Sequence, residues 1–106
     1  MKENFNDPKI QAKLHLYFDL IERDFSAELV ALDVPLPSCA DAGYCYADIV
    51  IFRDLDHSLA DLVIECLPEA ASDSDIDQAK KVAAIKGAAL RSREVAYAVG
   101  LEICRL

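Results

Sequence analysis

Two apolar runs rich in β-branched residues stand near the middle of the chain, with a short polar segment between them. The first run is Tyr-Ala-Asp-Ile-Val-Ile-Phe at 46–52, and the second is Leu-Val-Ile-Glu-Cys-Leu at 62–67. Residues of this kind favour strands, and the polar segment at 54–57 is typical of a turn. We therefore predict an antiparallel pair of strands at about 46–53 and 59–66.

Helices are predicted on both sides of this pair. Asp7 and Pro8 have the pattern of an N-cap followed by a first helical residue, and they open a helix to about Phe25. Apolar side chains recur along it at three- and four-residue steps, at Ile10, Leu14, Tyr17, Phe18, Ile21 and Phe25. The second helix is predicted at 73–91, after Ser72. Its apolar positions are Ile76, Ala79, Val82, Ala83, Ile85, Ala89 and Leu90.

Two further strands complete the prediction. Residues 28–36 alternate and end at prolines, 38–43 form a loop, and the β-branched tail at 95–103 is a last strand. The order of helix, three strands, helix and strand predicts an α/β fold with a mixed sheet of four strands. The first three strands form a meander, and the second helix crosses over to a strand beside the sheet centre.

Bulk properties limit the possible functions. A chain of 106 residues forms one domain, 1–106, and its 54% hydrophobic content is high for so small a body. That excess predicts a homodimer interface. The net charge of −8 argues against a large basic surface for nucleic acid, although a local cationic groove remains compatible with it. Without an 18-residue apolar run or a signal peptide, no membrane association and a cytoplasmic location are expected.

The four cysteines, Cys39, Cys45, Cys66 and Cys104, include no CxxC pair. Their spacing favours neither a zinc site nor a disulfide framework. Cys66 and Cys104 lie in or beside apolar strands, where a thiol usually behaves as a small buried hydrophobe.

The candidate chemistry lies in the two central strands. Asp48 enters the first strand and Glu65 ends the second, so pairing would bring both acids together at one edge of the sheet. Neighbouring buried carboxylates repel each other, and a divalent cation with oxygen ligands relieves that repulsion. The simpler interpretation makes Asp48 a cap at the strand entry and Glu65 a solvated acid at the sheet edge. Against it, a charge within so apolar a run needs a partner.

The element order and these acids resemble the PD-(D/E)xK nucleases of the restriction-endonuclease-like superfamily, most closely the amino-terminal nuclease domain of type I restriction enzyme motor subunits. The resemblance covers nearly the whole chain. Its motifs are Ala47-Asp48, the strand at 62–65, Asp77-Gln78 and the segment at 97–100. It implies that Asp48 and Glu65 bind magnesium for phosphodiester hydrolysis, and that Gln78 matches a glutamine common in this branch.

The chain departs from the family at one position, because Leu67 stands where the motif lysine is expected, two residues after Glu65. Activity would then need a lysine from the second helix, where Lys80, Lys81 and Lys86 are candidates. Lys86 falls within the apolar face, and its simpler interpretation is a buried stem whose ammonium reaches solvent at an edge. Glu22 is a further possible acidic ligand, with a solvated helix flank as its simpler interpretation.

Three functional hypotheses follow. We favour a degenerate nuclease-like domain that acts as an interaction or regulatory module without catalysis and needs no metal. The alternative is a minimal Mg-dependent DNA endonuclease with a relocated lysine, working as a dimer or with a protein partner. A third hypothesis is a non-catalytic nucleic-acid-binding module, which the shortage of basic residues disfavours.

Overall fold

The computed structural model describes residues 7–23, 26–37 and 46–106. The predicted loop at 38–43, Phe25, Cys39 and Cys45 lie outside the described residues. The elements are α1 (Pro8–Arg23), β1 (Val30–Pro35), β2 (Tyr46–Phe52), β3 (Ala60–Leu67), α2 (Asp73–Ala89), β4 (Glu94–Val99) and β5 (Glu102–Arg105). The predicted α/β fold and its α-β-β-β-α-β order are confirmed, and one further strand follows.

The strands form a single mixed sheet in the order β1-β2-β3-β4-β5. The predicted antiparallel pairing of β2 with β3 is confirmed, and β1 joins β2 in the same sense. The crossover through α2 places β4 parallel to β3. As a result β3 is the central strand, with a neighbour on each side. Within the described part of the chain, neither helix has the length and apolar character needed to span a bilayer.

The predicted single strand at 95–103 is wrong, because this segment folds back on itself. Gly100 has a φ of +60°, a left-handed conformation that glycine adopts without steric cost. Its backbone N–H donates to the carbonyl of Leu67 at 2.9 Å, which fixes the turn against the end of β3. The sheet therefore has five strands instead of four, and β5 forms its last edge.

The two helices cover opposite faces of the sheet. Leu16 and Leu20 of α1 pack on a face that includes Ile49 and Ile64. Ala89 and Leu90, at the end of α2, pack against the face that includes Val63. Because β2 and β3 are covered on both faces, their sequences are almost continuously apolar.

The apolar stripe predicted for α1 is displaced from the face that contacts the sheet. The helix buries Ala12, Leu16 and Leu20, whereas Phe18 is 55% exposed. On α2 the predicted core residue Ile85 is also exposed. Apolar side chains occur on more than one side of each helix, so periodicity alone did not identify the buried side.

The start of α2 agrees with the sequence prediction. The Ser72 hydroxyl accepts from the Asp75 N–H, while the Asp75 carboxylate accepts from the Ser72 N–H, which completes a capping box. Near its other end, α2 approaches β4 closely at Gly87, where an added Cβ would overlap Cγ1 of Val95. The absence of a side chain at this position therefore sets the spacing between α2 and the sheet.

We expect Gly87→Ala to lower the free energy of unfolding by about 2 kcal/mol, because the methyl group overlaps Val95 and overpacks the contact. This net loss already allows for the ~1 kcal/mol that alanine gains from helix propensity, since overpacking can cost about 3 kcal/mol. Urea unfolding measures the change, and Val95→Ala in the same background should recover part of it. A Gly87→Ala protein as stable as the wild type would contradict the close packing of α2.

Candidate functional site

The sheet register brings the two predicted acids together. Ile49 pairs with Ile64, and one further step along this register places Asp48 opposite Glu65. Because side chains alternate along a strand, both acids lie on the same face as Val50 and Val63. They are only 7% and 5% exposed, respectively. Interpreting Glu65 as a solvated acid at the sheet edge is therefore wrong. It lies at the end of the central strand, within the protein interior.

Lys86 supplies the main partner of Glu65. It projects from α2 and donates from its Nζ to Oε1 of Glu65 at 2.8 Å. The Lys86 side chain is 6% exposed, so the expectation that its ammonium would reach solvent at an edge is wrong. The pair is buried and hydrogen-bonded, which is the arrangement that an interior carboxylate requires.

Lys9, in the first turn of α1, bridges both acids. Its Nζ lies 3.3 Å from Oε2 of Glu65 and 3.6 Å from Oδ2 of Asp48. Unlike Lys86, the Lys9 side chain is 46% exposed, so it reaches the acids from solvent. A single ammonium therefore contacts both carboxylates at once.

Asp48 is also held by the backbone of β3. Its Oδ2 accepts from the N–H of Cys66 at 3.0 Å, a buried bond that fixes the carboxylate beside Glu65. The thiol of Cys66 has no part in this contact. Burial, reinforced by the charges of Asp48 and Glu65, raises the pKa of that thiol far above its ordinary value. Cys66 is therefore neutral and a poor nucleophile.

The electrostatics of this group show strong coupling between its members. Burial raises the pKa of Glu65, and the nearby Asp48 raises it further, while Lys86 and Lys9 act in the opposite direction. For Lys9, burial lowers the pKa, but attraction to Asp48 and Glu65 outweighs this effect and the pKa is raised. The acid–lysine cluster (Asp48, Glu65, Lys9 and Lys86) thus contains two carboxylates and two ammonium groups.

A cleft of about 300 Å³ opens beside the cluster. Lys9, Glu65 and Lys86 line it, together with Leu67, Gln78 and residues on the first turns of α2. Leu67 therefore faces the cleft in the position where the family resemblance expects a lysine. The structure thus brings Asp48, Glu65 and Lys86 together, with Gln78 along the same cleft.

The other candidates lie elsewhere. Glu22 is exposed near the end of α1, thirteen residues after Lys9 and so about 20 Å along the helix. Lys80 and Lys81 are exposed on α2, and Nζ of Lys80 lies 5.8 Å from the ring centroid of Tyr97. These three residues do not join the acid–lysine cluster.

The cluster does not fit a divalent cation as it stands. Asp48 and Glu65 are hard oxygen ligands, but each is already contacted by an ammonium group. Across residues 7–23, 26–37 and 46–106, no group of three or more His, Cys, Asp or Glu side chains is arranged to hold a metal. The two carboxylates and two ammonium groups have no net charge, so the cluster attracts a further cation weakly. The net charge of the ligands is a main determinant of cation affinity.

Lys9 is the residue that sequence reasoning missed. It directly follows Asp7 and Pro8, whose helix-start pattern explained the local sequence without any functional role. No spacing relates position 9 to positions 48 and 65, because their proximity depends on how α1 docks on the sheet. The apolar run around Glu65 was the available signal, since it required a buried cationic partner.

Comparison of the chain with models of known protein families, with curated proteins and with solved structures found no match. The site therefore has to be interpreted from its own geometry and charges.

Removing the Lys86 charge should destabilise the protein in a pH-dependent manner. The raised pKa of Glu65 means that stability is lost as pH rises from the unfolded-state value through the folded-state value. Lys86→Met removes a group that holds this pKa down, so the pKa rises further. We expect a loss of about 3 kcal/mol at pH 7 and a smaller loss at pH 5, because the raised pKa makes protonation of the unpaired Glu65 easier as the pH falls.

Urea unfolding of Lys86→Met at the two pH values measures this effect, with Lys81→Met as the matched control. Lys81 is exposed on the same helix, so its replacement should change stability little at either pH. An equal loss for Lys86→Met at pH 5 and pH 7 would show that the buried Glu65 charge is not its cause.

Proposed function

We propose that this chain is a nuclease-like domain, related to the restriction-endonuclease-like proteins, that acts as an interaction or regulatory module without catalysis. The observation that carries the proposal is the charge balance of the acid–lysine cluster. Lys86 and Lys9 contact Glu65, and Lys9 also contacts Asp48. Two carboxylates neutralised by two ammonium groups need no metal to be stable in the interior.

The surroundings of the cluster support the same conclusion. Leu67, on the cleft side of β3, can neither donate a proton nor stabilise an anion. Both oxygens of Glu65 are engaged by lysines, so a metal could bind this carboxylate only by displacing an ammonium group. The net charge of −8 also makes the chain a poor match for a polyanionic substrate.

A second candidate function, a magnesium-dependent DNA endonuclease, is favoured by one specific observation. Lys86 reaches Glu65 from α2, so a lysine stands beside the acid pair even though Leu67 replaces the motif lysine. In this alternative Asp48 and Glu65 would hold the metal, and Lys86 would take the role of the missing lysine. The alternative requires the metal to compete with Lys9.

An interaction role also requires a surface that binds a partner. Seven large apolar side chains are exposed in the described part of the chain, namely Phe18, Tyr46, Leu55, Leu59, Ile85, Leu101 and Leu106. Their exposure supports the proposal that the chain associates with a second copy of itself.

Purified protein incubated with supercoiled plasmid and either MgCl₂ or MnCl₂ should leave the DNA intact. Asp48→Asn, purified in the same way, measures the DNA cleavage that is due to contaminating nucleases. Leu67→Lys should remain equally inactive, because Lys9 still occupies the acids. Wild-type cleavage that Asp48→Asn abolishes would contradict the proposal and favour the endonuclease.

Light scattering tests the proposed self-association. At tens of micromolar protein, we expect a mass twice that of the 11.7 kDa chain. A mass equal to one chain across this range would exclude the homodimer and leave a different partner as the target of any interaction.

A further inference from the structure

We propose that Lys9 is a tethered counter-ion that keeps divalent cations away from Asp48 and Glu65, so that the chain contains a latent cation site. This inference rests on the proposed loss of catalysis, for which it supplies a cause. It concerns cation binding alone and requires no reaction.

The position of the Lys9 ammonium supports this role. It lies within 3.6 Å of one oxygen of each acid, so it occupies the space between two carboxylates that a bridging cation would need. Of the two acids, Lys86 is paired with Glu65, from the opposite helix. The two lysines therefore differ in function, because Lys9 links the acids and Lys86 neutralises one of them.

The two lysines also differ in how easily they can leave. Lys86 is almost fully enclosed, whereas the Lys9 side chain is 46% exposed and lines the open cleft. The Lys9 backbone is fixed, since its N–H donates to Oδ1 of Asp7 at 2.8 Å. Rotation of the flexible Lys9 side chain into solvent would therefore uncover the acids without unfolding α1.

The charge of the uncovered site would suit a hard divalent cation such as Mg²⁺ or Mn²⁺. Without Lys9, the acids exceed the remaining Lys86 by one negative charge, and their oxygens are the ligands that these ions prefer. Glutamate at position 9, in the first turn of α1, would add a third carboxylate to those of Asp48 and Glu65. The cation affinity should therefore rise from wild type to Lys9→Met and again to Lys9→Glu.

Isothermal titration with MnCl₂, in the absence of nucleic acid, tests this order. Given the strength of charge interactions at these distances, Lys9→Met should bind Mn²⁺ at least about tenfold more tightly than wild type. Lys9→Arg should behave like wild type, because it keeps the positive charge. Lys81→Met removes an exposed lysine from α2 and should leave Mn²⁺ affinity unchanged.

A double variant assigns any gained binding to the acid pair. Asp48→Asn keeps a carbonyl oxygen that can accept from Cys66 N–H, and in the Lys9→Met background it should abolish the gain. Circular dichroism of each variant verifies the fold. Independently, amide spectra of the wild type should show no shifts at the acid–lysine cluster in MgCl₂ at about 10 mM, roughly tenfold above the dissociation constants of the weakest protein calcium sites.

The inference is overturned if Lys9→Met and Lys9→Glu bind Mn²⁺ no better than wild type, or if the wild type already binds at the level of Lys9→Met. Both results are independent of DNA cleavage. A wild-type protein that cleaves DNA would overturn the proposed function, yet a tighter Mn²⁺ affinity of Lys9→Met would still support the role of Lys9.

Discussion

The fold depends on pairing the buried carboxylate that the central strand of the sheet carries. Glu65 lies on the central strand with apolar neighbours, and an unpaired carboxylate there would cost several kcal/mol. Lys86 satisfies it from α2, and at the next residue, Gly87, the helix approaches β4 closely. The Lys86–Glu65 ion pair and the Gly87–Val95 contact thus fix the same turn of α2 against the sheet. A single acid in β3 thereby constrains the position of the crossover helix.

Charge balance also links the fold to the proposed function. An acid pair at the end of two central strands suits a metal-dependent hydrolase, but here each acid contacts a lysine from a different helix. The two lysines neutralise the carboxylates, as a bound cation would, and they belong to the same chain. In the proposed nuclease-like module, this pairing would keep the two acids stable in the interior without a metal. Leu67, where the family resemblance expects a lysine, is consistent with that proposal.

Sequence patterns predicted those parts of the structure that depend on local chemistry. The pairing of β2 with β3 and the start of α2 at Ser72 follow from β-branched runs and from a capping box. The extra turn at Gly100 was missed, because the alternation of the tail continues up to the glycine and β5 is only four residues long. The apolar stripe of α1 was misplaced, because burial depends on the sheet that the helix meets.

The site shows the same division between local and long-range information. Asp48 and Glu65 could be found from the strand pattern, and Lys86 was a candidate because it interrupts an apolar helix face. Lys9 could not be found in this way, since its contact with Glu65 joins residues 56 positions apart through the docking of α1. Long-range charge pairing leaves no periodic trace in a single sequence.

Anomalous diffraction from crystals grown in MnCl₂ can decide whether Lys9 or a metal neutralises the acid pair, because it locates manganese and Lys9 in one experiment. We expect no anomalous peak between Asp48 and Glu65, with the Lys9 ammonium in contact with both carboxylates. A manganese peak between the two acids, with the Lys9 side chain turned into solvent, would show that Lys9 is not their counter-ion.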